Sequence, residues 1–167
     1  MELLHALWIV GAIILAMTFV FDRSSLQFDM KAFKWFFKVI VIGSGISLAL
    51  NLLLQRFPPL LPVDATSLLF VWWEDLVFSY LLIYCSEKIL PRWAFYIVAV
   101  ISSAVFGLGH LYQGWLVVAL LSFYPYFVSY KWGKRVGFGT IMASHVCYDF
   151  IVFGNQKLIH YFGNLIN

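Results

Sequence analysis

The sequence predicts an all-α membrane protein, a polytopic helical bundle of about six transmembrane helices in a single domain over residues 1–167. Hydrophobic residues make up 63% of the 167 residues and charged residues only 11%, and the mean hydropathy is +0.89. A soluble domain carries about a quarter charged residues, so this chain has too few to cover a water-soluble particle. The composition therefore excludes a cytosolic enzyme and a disordered tail. With eleven scattered basic residues, it also excludes a nucleic-acid partner.

The first three apolar runs lie in the first half of the chain. Residues 3–21 end at a charged Asp-Arg pair, residues 35–54 end before two consecutive prolines, and residues 65–84 end before Glu87. Each run has a length within the roughly 17–25 residues that cross about 30 Å of hydrocarbon. Each therefore predicts a transmembrane helix.

The last three runs follow closely on one another. Residues 93–111 form the fourth run, and a turn at Gly114 connects it to the fifth, residues 115–130. A basic connection then leads to the sixth run, residues 137–153. The tail from Gly154 is too short and too polar to predict another crossing.

The basic residues predict the orientation of these spans. Nine of the eleven fall in three alternate connections, which carry Arg23, Lys31, Lys34 and Lys38, then Lys88 and Arg92, then Lys131, Lys134 and Arg135. Only Arg56 and Lys157 fall on the other side. Because positive charge prefers the cytoplasmic side, we expect a multi-pass protein of the cell membrane with both termini outside.

Three acids and two histidines stand out inside the predicted spans. They are Glu74, Asp75, His110, His145 and Asp149. Inserting a carboxylate at mid-membrane costs about 2.5–3.5 kcal/mol of free energy on insertion scales. Such groups therefore persist only when they are neutralised, paired or exposed to a water-filled cavity. His145 and Asp149 are four residues apart and lie on one helical face. Together the five residues predict a functional site inside the membrane.

Each of these residues also has an ordinary structural explanation. Glu74 could cap a neighbouring helix, and Asp75 could make a supporting hydrogen bond. His110 could be a histidine at the membrane interface. His145 with Asp149 fits a polar clamp between helices. An ion or proton pathway is a further alternative, but it needs polar residues that continue toward both faces of the membrane. The middles of the first, second and fifth spans are largely apolar.

Three short motifs stand on successive predicted helices. They align with the patterns EExxxR, FxxxH and HxxxN or HxxxD, and they comprise Glu74, Asp75 and Ser79, then Phe106 and His110, then His145 and Asp149. In this order, with one motif-free span before the last, the motifs resemble those of the CAAX-protease and bacteriocin-processing family (CPBP, also called Abi). The resemblance covers a core of about residues 65–153.

The resemblance implies an intramembrane endopeptidase that uses a buried glutamate instead of a serine or cysteine nucleophile. Glu74 with His110 would activate a water for attack on a peptide carbonyl, and His145 with Asp149 would orient that water or stabilise the oxyanion. Asp75, Ser79 and Phe106 would support these four residues. The expected partners are membrane lipids and a membrane-associated or hydrophobic peptide or protein substrate.

The resemblance leaves the cofactor open. Either no cofactor is needed, or a divalent metal is held by Glu74, His110 and His145, since two histidines and a carboxylate can hold catalytic zinc. The chain has no HExxH spacing to support a zinc site. The metal-free mechanism is therefore our first expectation.

The chain departs from the family's first and last motifs. Asp75 replaces the second glutamate of the first motif. Ser79 replaces its arginine, a cation that could bind a carboxylate through two hydrogen bonds. Asp149 stands in place of asparagine and, when ionised, can only accept hydrogen bonds. These departures keep a second hypothesis open. According to this hypothesis, the chain is a catalytically silent CPBP-like membrane protein that acts in peptide immunity or as a partner-binding scaffold.

Overall fold

The computed structural model of the chain describes residues 10, 11, 13, 14, 17, 22–54 and 71–166. Throughout these residues the regular structure is helical and contains no strand. This confirms the predicted all-α class. The first predicted span, residues 3–21, and the start of the third, residues 65–70, lie largely outside the described residues.

The longer described segments form five successive helices. α1 is Met30–Leu53, α3 is Arg92–Gly109 and α5 is Phe138–Ile166. α2 begins as Val71–Glu74, continues as a π-helix over Asp75–Cys85 and ends as Ser86–Ile89. A short 3₁₀ turn, Leu111–Gln113, separates α3 from α4. α4 consists of Trp115–Leu121, a π-helical stretch Tyr124–Tyr130, and Lys131–Val136.

Local chemistry explains where these helices begin and end. The Asp29 carboxylate accepts hydrogen bonds from the backbone N–H groups of Lys31 and Ala32, at 2.8 and 3.0 Å, and caps α1. Gly114 and Gly137 have φ values of +101° and +87°. Side chains rarely adopt that conformation, so these two glycines allow the sharp turns before α4 and α5.

The number of membrane spans remains a prediction. Among the described helices, α1 and α3 are long and apolar enough, by length and composition, to cross a membrane. α2 and α4 are each divided by a π-helical stretch, so neither is one continuous α-helix.

α5 continues beyond the predicted end of the sixth run at residue 153. It reaches Ile166, and Gly154 does not interrupt it. Asn155 provides a physical reason, because its side-chain amide donates hydrogen bonds to the backbone carbonyl and the hydroxyl of Ser44 in α1. The tail is therefore a helical extension that is bonded to α1.

Two ion pairs gather the basic connections at one end of the bundle. Lys88 Nζ lies 3.0 Å from the Asp22 carboxylate, and Lys134 Nζ lies 2.7 Å from the Glu87 carboxylate. Trp132 at the end of α4 also stacks on Trp35 near the start of α1. The connections before α1, between α2 and α3, and between α4 and α5 thus share one end, which we call the basic end.

The buried core brings together the remaining helices. Its fully packed members come from α2, α3, α4 and α5, and they are Leu76, Tyr80, Ile83, Phe95, Ala99, Tyr130, Phe138 and Met142. Close packing around these residues fixes the four helices relative to one another. The titratable side chains of the candidate active site project from the same four-helix unit.

Candidate active site

Each of the four packed helices contributes a polar side chain to one region. Glu74 and Asp75 lie where α2 changes from α- to π-helix, and His110 lies directly after the end of α3. Tyr124 opens the π-helical part of α4, and His145 lies in the first half of α5. Local π-helical geometry is frequent at functional sites, and here it coincides with two of the four contributing helices.

Asp75 is the most buried carboxyl group of this region, with 1% of the residue exposed. Its Oδ2 accepts hydrogen bonds from Nδ1–H of His145, at 3.0 Å, and from the hydroxyl of Tyr124, at 3.3 Å. Among the described residues its Oδ1 has no hydrogen-bond partner. Asp75 therefore joins α2 to both α4 and α5 through a single oxygen atom.

His145 is enclosed by three side chains from three helices. Besides its 3.0 Å bond to Asp75, its Nε2 lies 4.0 Å from Oδ1 of Asp149. The Tyr124 ring packs against the imidazole with 4.7 Å between the ring centroids. The i,i+4 spacing of His145 and Asp149 does bring them together, but the closer carboxylate comes from α2.

Glu74 and His110 line a second part of the region, a cavity of about 150 Å³ between α2 and the end of α3. Phe78, Phe106 and Tyr112 also line this cavity. A polar cavity of this size has room for water. Glu74 also lies close enough to His110, His145 and Asp149 to interact with them electrostatically.

The backbone fixes the orientation of the His110 ring. Its Nδ1 lies 3.0 Å from the carbonyl oxygen of Phe106, one helical turn earlier. A carbonyl can only accept a hydrogen bond, so Nδ1–H is the donor. In the neutral ring this arrangement leaves the lone pair on Nε2. His110 therefore offers a proton-accepting nitrogen beside Glu74's cavity.

Phe106 connects the two parts of the region. It is buried, and its ring lies 4.9 Å from that of His110 and stacks on the Tyr124 ring at 5.6 Å. Since Tyr124 packs on His145, a continuous row of rings runs from His110 to His145. The predicted supporting residue Phe106 thus lies between the two histidines.

Ser79 stands where the family motif has arginine, one turn after Asp75. It is 1% exposed, and its hydroxyl makes no hydrogen bond with the described residues. An arginine would bring a long cation into this fully packed position. At this position the chain therefore lacks both the charge and the space for it.

No three His, Cys, Asp or Glu side chains among the described residues form a group that could hold a metal ion. The predicted alternative donor set is Glu74, His110 and His145. In both of its histidines Nδ1 is already bonded, to Phe106 O and to Asp75. Nε2 of each ring is left as the nitrogen that a metal ion would take, so the metal alternative stays a prediction.

Tyr124 is a member of this region that the sequence analysis missed. It lies in the fifth predicted span, which was interpreted as largely apolar. A mid-span tyrosine hydroxyl needs a hydrogen-bond partner, and that requirement was the available signal. The partner, Asp75, lies 49 residues away in the chain, so no local pattern indicates it.

Comparison with known proteins identifies the family. The model of the family described as type II CAAX prenyl endopeptidase Rce1-like matches residues 56–151, more than half of the chain, and this range includes every residue named in the three motifs. Neither a curated protein nor a solved structure matches the chain. The family match confirms the resemblance seen in the motifs. It also agrees with two helices long enough to cross a membrane, because the family is one of membrane-embedded proteases. The chain belongs to the type II CAAX prenyl endopeptidase Rce1-like family.

Proposed function

We propose that this chain is an intramembrane endopeptidase of the glutamate type. It hydrolyses a peptide bond in a membrane-associated or hydrophobic peptide substrate. The observation that carries the proposal is the shared cavity of Glu74 and His110, beside a histidine held by a buried carboxylate. Family membership supports protease chemistry, and the shared cavity supports Glu74 and His110 as the residues that carry it out.

In this proposal the protein is a six-span bundle of the cell membrane with both termini outside. The gathering of three basic connections at one end supports this orientation, because positive charge prefers the cytoplasmic side. Glu74 lies about fifteen residues before the basic end of α2, so several helical turns separate it from that end. The chemistry would then take place within the hydrocarbon layer.

The proposed reaction is a water attack on the scissile carbonyl carbon. The Glu74 carboxylate accepts a proton from the water, and Nε2 of His110 accepts the second hydrogen bond that fixes the water's orientation. The new C–O bond gives a tetrahedral intermediate, and the C–N bond then breaks. The proton held by Glu74 passes to the leaving amine, which is ordinary general acid–base chemistry.

His145 would orient the water or stabilise the oxyanion of the intermediate. With Nδ1–H donated to Asp75, the ring has a fixed direction and presents Nε2 on its other side. Asp149, at 4.0 Å from that nitrogen, would orient the imidazole further. For the oxyanion role the ring acts as the imidazolium, whose Nε2–H is a preorganised donor, and such a donor in a low-dielectric site is a large source of transition-state stabilisation.

No cofactor enters this mechanism. The alternative of a divalent metal on Glu74, His110 and His145 has its own test. Cleavage that disappears with a zinc chelator and returns with added Zn²⁺ would favour it. Under our proposal the chelator leaves the cleavage rate unchanged.

The decisive experiment compares two glutamates that undergo the same substitution. We expect Glu74→Gln, in the full chain reconstituted in liposomes, to abolish cleavage of a prenylated CAAX peptide or of another hydrophobic fluorogenic peptide. The control is Glu87→Gln, because Glu87 pairs with Lys134 at the basic end, away from the cavity. Unchanged melting temperatures would show that both variants fold. Cleavage by Glu74→Gln at the wild-type rate would remove the role assigned to Glu74.

The buried Ser79 favours a second candidate function, a catalytically silent relative that acts in peptide immunity or as a scaffold. In that case wild type cleaves no peptide of the panel, and protection from a membrane-active peptide or partner binding survives Glu74→Gln. Loss of both protection and partner binding in a well-folded Glu74→Gln chain would contradict the silent alternative.

A further inference from the structure

A second, larger cavity lies outside the candidate active site. It is an open apolar groove of about 340 Å³ between α3 and α4, and it shares no lining residue with the Glu74 cavity. Small side chains of α3 form its floor, namely Ala99, Ser103 and Ala104. Aromatic rings from both helices form its walls. A groove of this shape accepts a flexible apolar chain.

The groove is shorter than one leaflet of a bilayer. Its lining on α3 runs from Tyr96 to Ala104, which is eight residues or roughly 12 Å of helix. Half of a hydrocarbon core of about 30 Å is about 15 Å, and Arg92 lies one helical turn from Tyr96 toward the basic end. An acyl chain whose headgroup stays at the basic end can therefore follow the groove over its whole length.

Two cations stand at the basic end of this groove, one from each helix. The Arg92 guanidinium lies 5.9 Å from the centre of the Tyr96 ring, and Lys131 Nζ lies 5.1 and 5.0 Å from the centres of the Tyr126 and Phe127 rings. All three rings line the groove. Both charges therefore lie directly above its aromatic walls.

Neither cation is neutralised by a carboxylate of the described residues. The ion pairs at this end join Lys88 to Asp22 and Lys134 to Glu87. No ion pair among the described residues involves Arg92 or Lys131. Asp22 and Glu87 at this end are thus already paired with other cations. The groove combines an apolar channel that fits within one leaflet with two positive charges, at its basic end, that no described carboxylate pairs.

We infer that the α3–α4 groove binds an anionic phospholipid, with an acyl chain along the groove and the phosphate at Arg92 and Lys131. The two positive charges favour an anionic headgroup over a zwitterionic one, because each basic residue near an anionic membrane surface adds to the attraction. This site is independent of the peptidase reaction, since it uses none of the residues proposed for that reaction.

The test measures lipid retention by the purified full-length protein. Native mass spectrometry in detergent compares added phosphatidylglycerol with phosphatidylcholine of the same acyl chains. We expect preferential retention of phosphatidylglycerol and a matching rise in melting temperature. The Arg92→Gln/Lys131→Gln variant should weaken retention on the order of thirtyfold. The control, Lys34→Gln/Lys38→Gln, removes two charges from α1 and should leave retention unchanged.

A second variant tests the apolar part of the site without a change of charge. Ala104→Phe places a ring in the groove from an exposed position of α3, and it should block the acyl chain. Ile101→Phe adds bulk to an exposed residue of α3 outside the groove and should have no effect. Size-exclusion profiles and melting temperatures check the fold of each variant.

Three results would overturn the inference. The first is equal retention of the two phospholipids by wild type, and the second is equal loss of retention in the Lys34/Lys38 control. The third is displacement of phosphatidylglycerol by an uncharged isoprenoid alcohol at the same concentration, which would assign the groove to a neutral chain. Selective loss in the Arg92/Lys131 and Ala104 variants alone supports the anionic-lipid site.

Discussion

Nδ1 of His145 lies 3.0 Å from Oδ2 of Asp75, whereas Nε2 of the same ring lies 4.0 Å from Oδ1 of Asp149. The carboxylate that holds the ring therefore comes from α2, and the neighbour on α5 is the more distant one. Asp75 is buried away from solvent, so this hydrogen bond is shielded from competing water. Asp75 is therefore expected to position His145 more strongly than Asp149 does, and this order can be tested.

We expect Asp75→Asn to reduce activity more than Asp149→Asn. A hydrogen bond to a charged group is worth about 1.5–3 kcal/mol, which corresponds to roughly 10- to 100-fold in kcat. Asp149→Asn acts over 4.0 Å and should cost less than tenfold. The kinetics of both variants on one peptide substrate provide the measurement. KM should change little, because Asp75 acts through His145 and not on the substrate.

The opposite order of effects would show that Asp149 is the acid that positions His145. Equal effects on kcat and KM, together with a lower melting temperature, would indicate a purely structural role for Asp75.

Tyr124 offers a finer test of the same bonded group. Tyr124→Phe removes the hydroxyl that donates to Asp75 at 3.3 Å but keeps the ring that packs on His145. The lost hydrogen bond has a charged acceptor but is long, so we take the lower end of the range for such bonds, about 1.5 kcal/mol, which predicts a kcat reduced roughly tenfold. Tyr124→Leu should reduce kcat further, since it also removes the ring.

The matched control for this change is Tyr161→Phe. Tyr161 is an exposed tyrosine in the last part of α5, and its substitution should leave kcat unchanged. A Tyr124→Phe variant with full activity would mean that the hydroxyl has no part in positioning Asp75.

Sequence patterns suffice for the features that are local in the chain. The spacing of His145 and Asp149 predicts their proximity, and an acid at position 74 inside an apolar run predicts an unusual environment. The bond from Asp75 to His145 joins residues 70 positions apart. Such a pair depends on how α2 and α5 pack, and no spacing rule encodes that packing.

Two further features escape the sequence for related reasons. A π-helical stretch begins at Asp75, whereas helical patterns assume 3.6 residues per turn, so side-chain directions along α2 are not predictable from spacing. The extension of α5 past residue 153 brings Asn155 into a hydrogen bond with Ser44 in α1, 111 positions away in the chain. Neither feature has a local signal in the sequence.

The Asp22–Lys88 ion pair at the basic end predicts a pH dependence of stability. Partial burial raises the pKa of the Asp22 carboxyl, but side-chain hydrogen bonds outweigh that effect and lower this pKa from 3.8 to about 2. The donors are Ser25, Lys88, Tyr80 and Ser24. Because the folded-state pKa is depressed, the ionised carboxylate stabilises the fold above pH 3.8. This contribution disappears as the pH falls through about 2.

We therefore expect Asp22→Asn to lower stability at pH 7 by about 1 kcal/mol or less, as is usual for an accessible ion pair. The difference from wild type should shrink between pH 4 and pH 2, in agreement with the depressed pKa of Asp22. Thermal unfolding in detergent at stepped pH provides the measurement. A difference that is constant over this range would show that the charge of Asp22 does not stabilise the fold.

The close approach of α3 and α4 at Gly107 leads to the last prediction. A Cβ at this position would lie 2.7 Å from the Val118 carbonyl oxygen and would also collide with the Ser122 hydroxyl. We expect Gly107→Ala to separate the two helices and to destabilise the fold by about 1–3 kcal/mol, as overpacking of a tight core does. The apparent melting temperature in detergent should fall by roughly 2–10 °C.

Gly109→Ala is the control for the close approach, because a Cβ at Gly109 meets no atom within 4 Å. There the gain in helix propensity, up to about 1 kcal/mol, should leave the melting temperature unchanged or slightly higher. Ser122→Ala added to Gly107→Ala should recover only part of the loss, since it removes the hydroxyl but not the Val118 carbonyl oxygen at 2.7 Å. Full recovery of the melting temperature would mean that the steric overlap involves only the Ser122 side chain. Equal melting temperatures for the two single glycine variants would mean that α3 and α4 do not pack this closely in the folded protein.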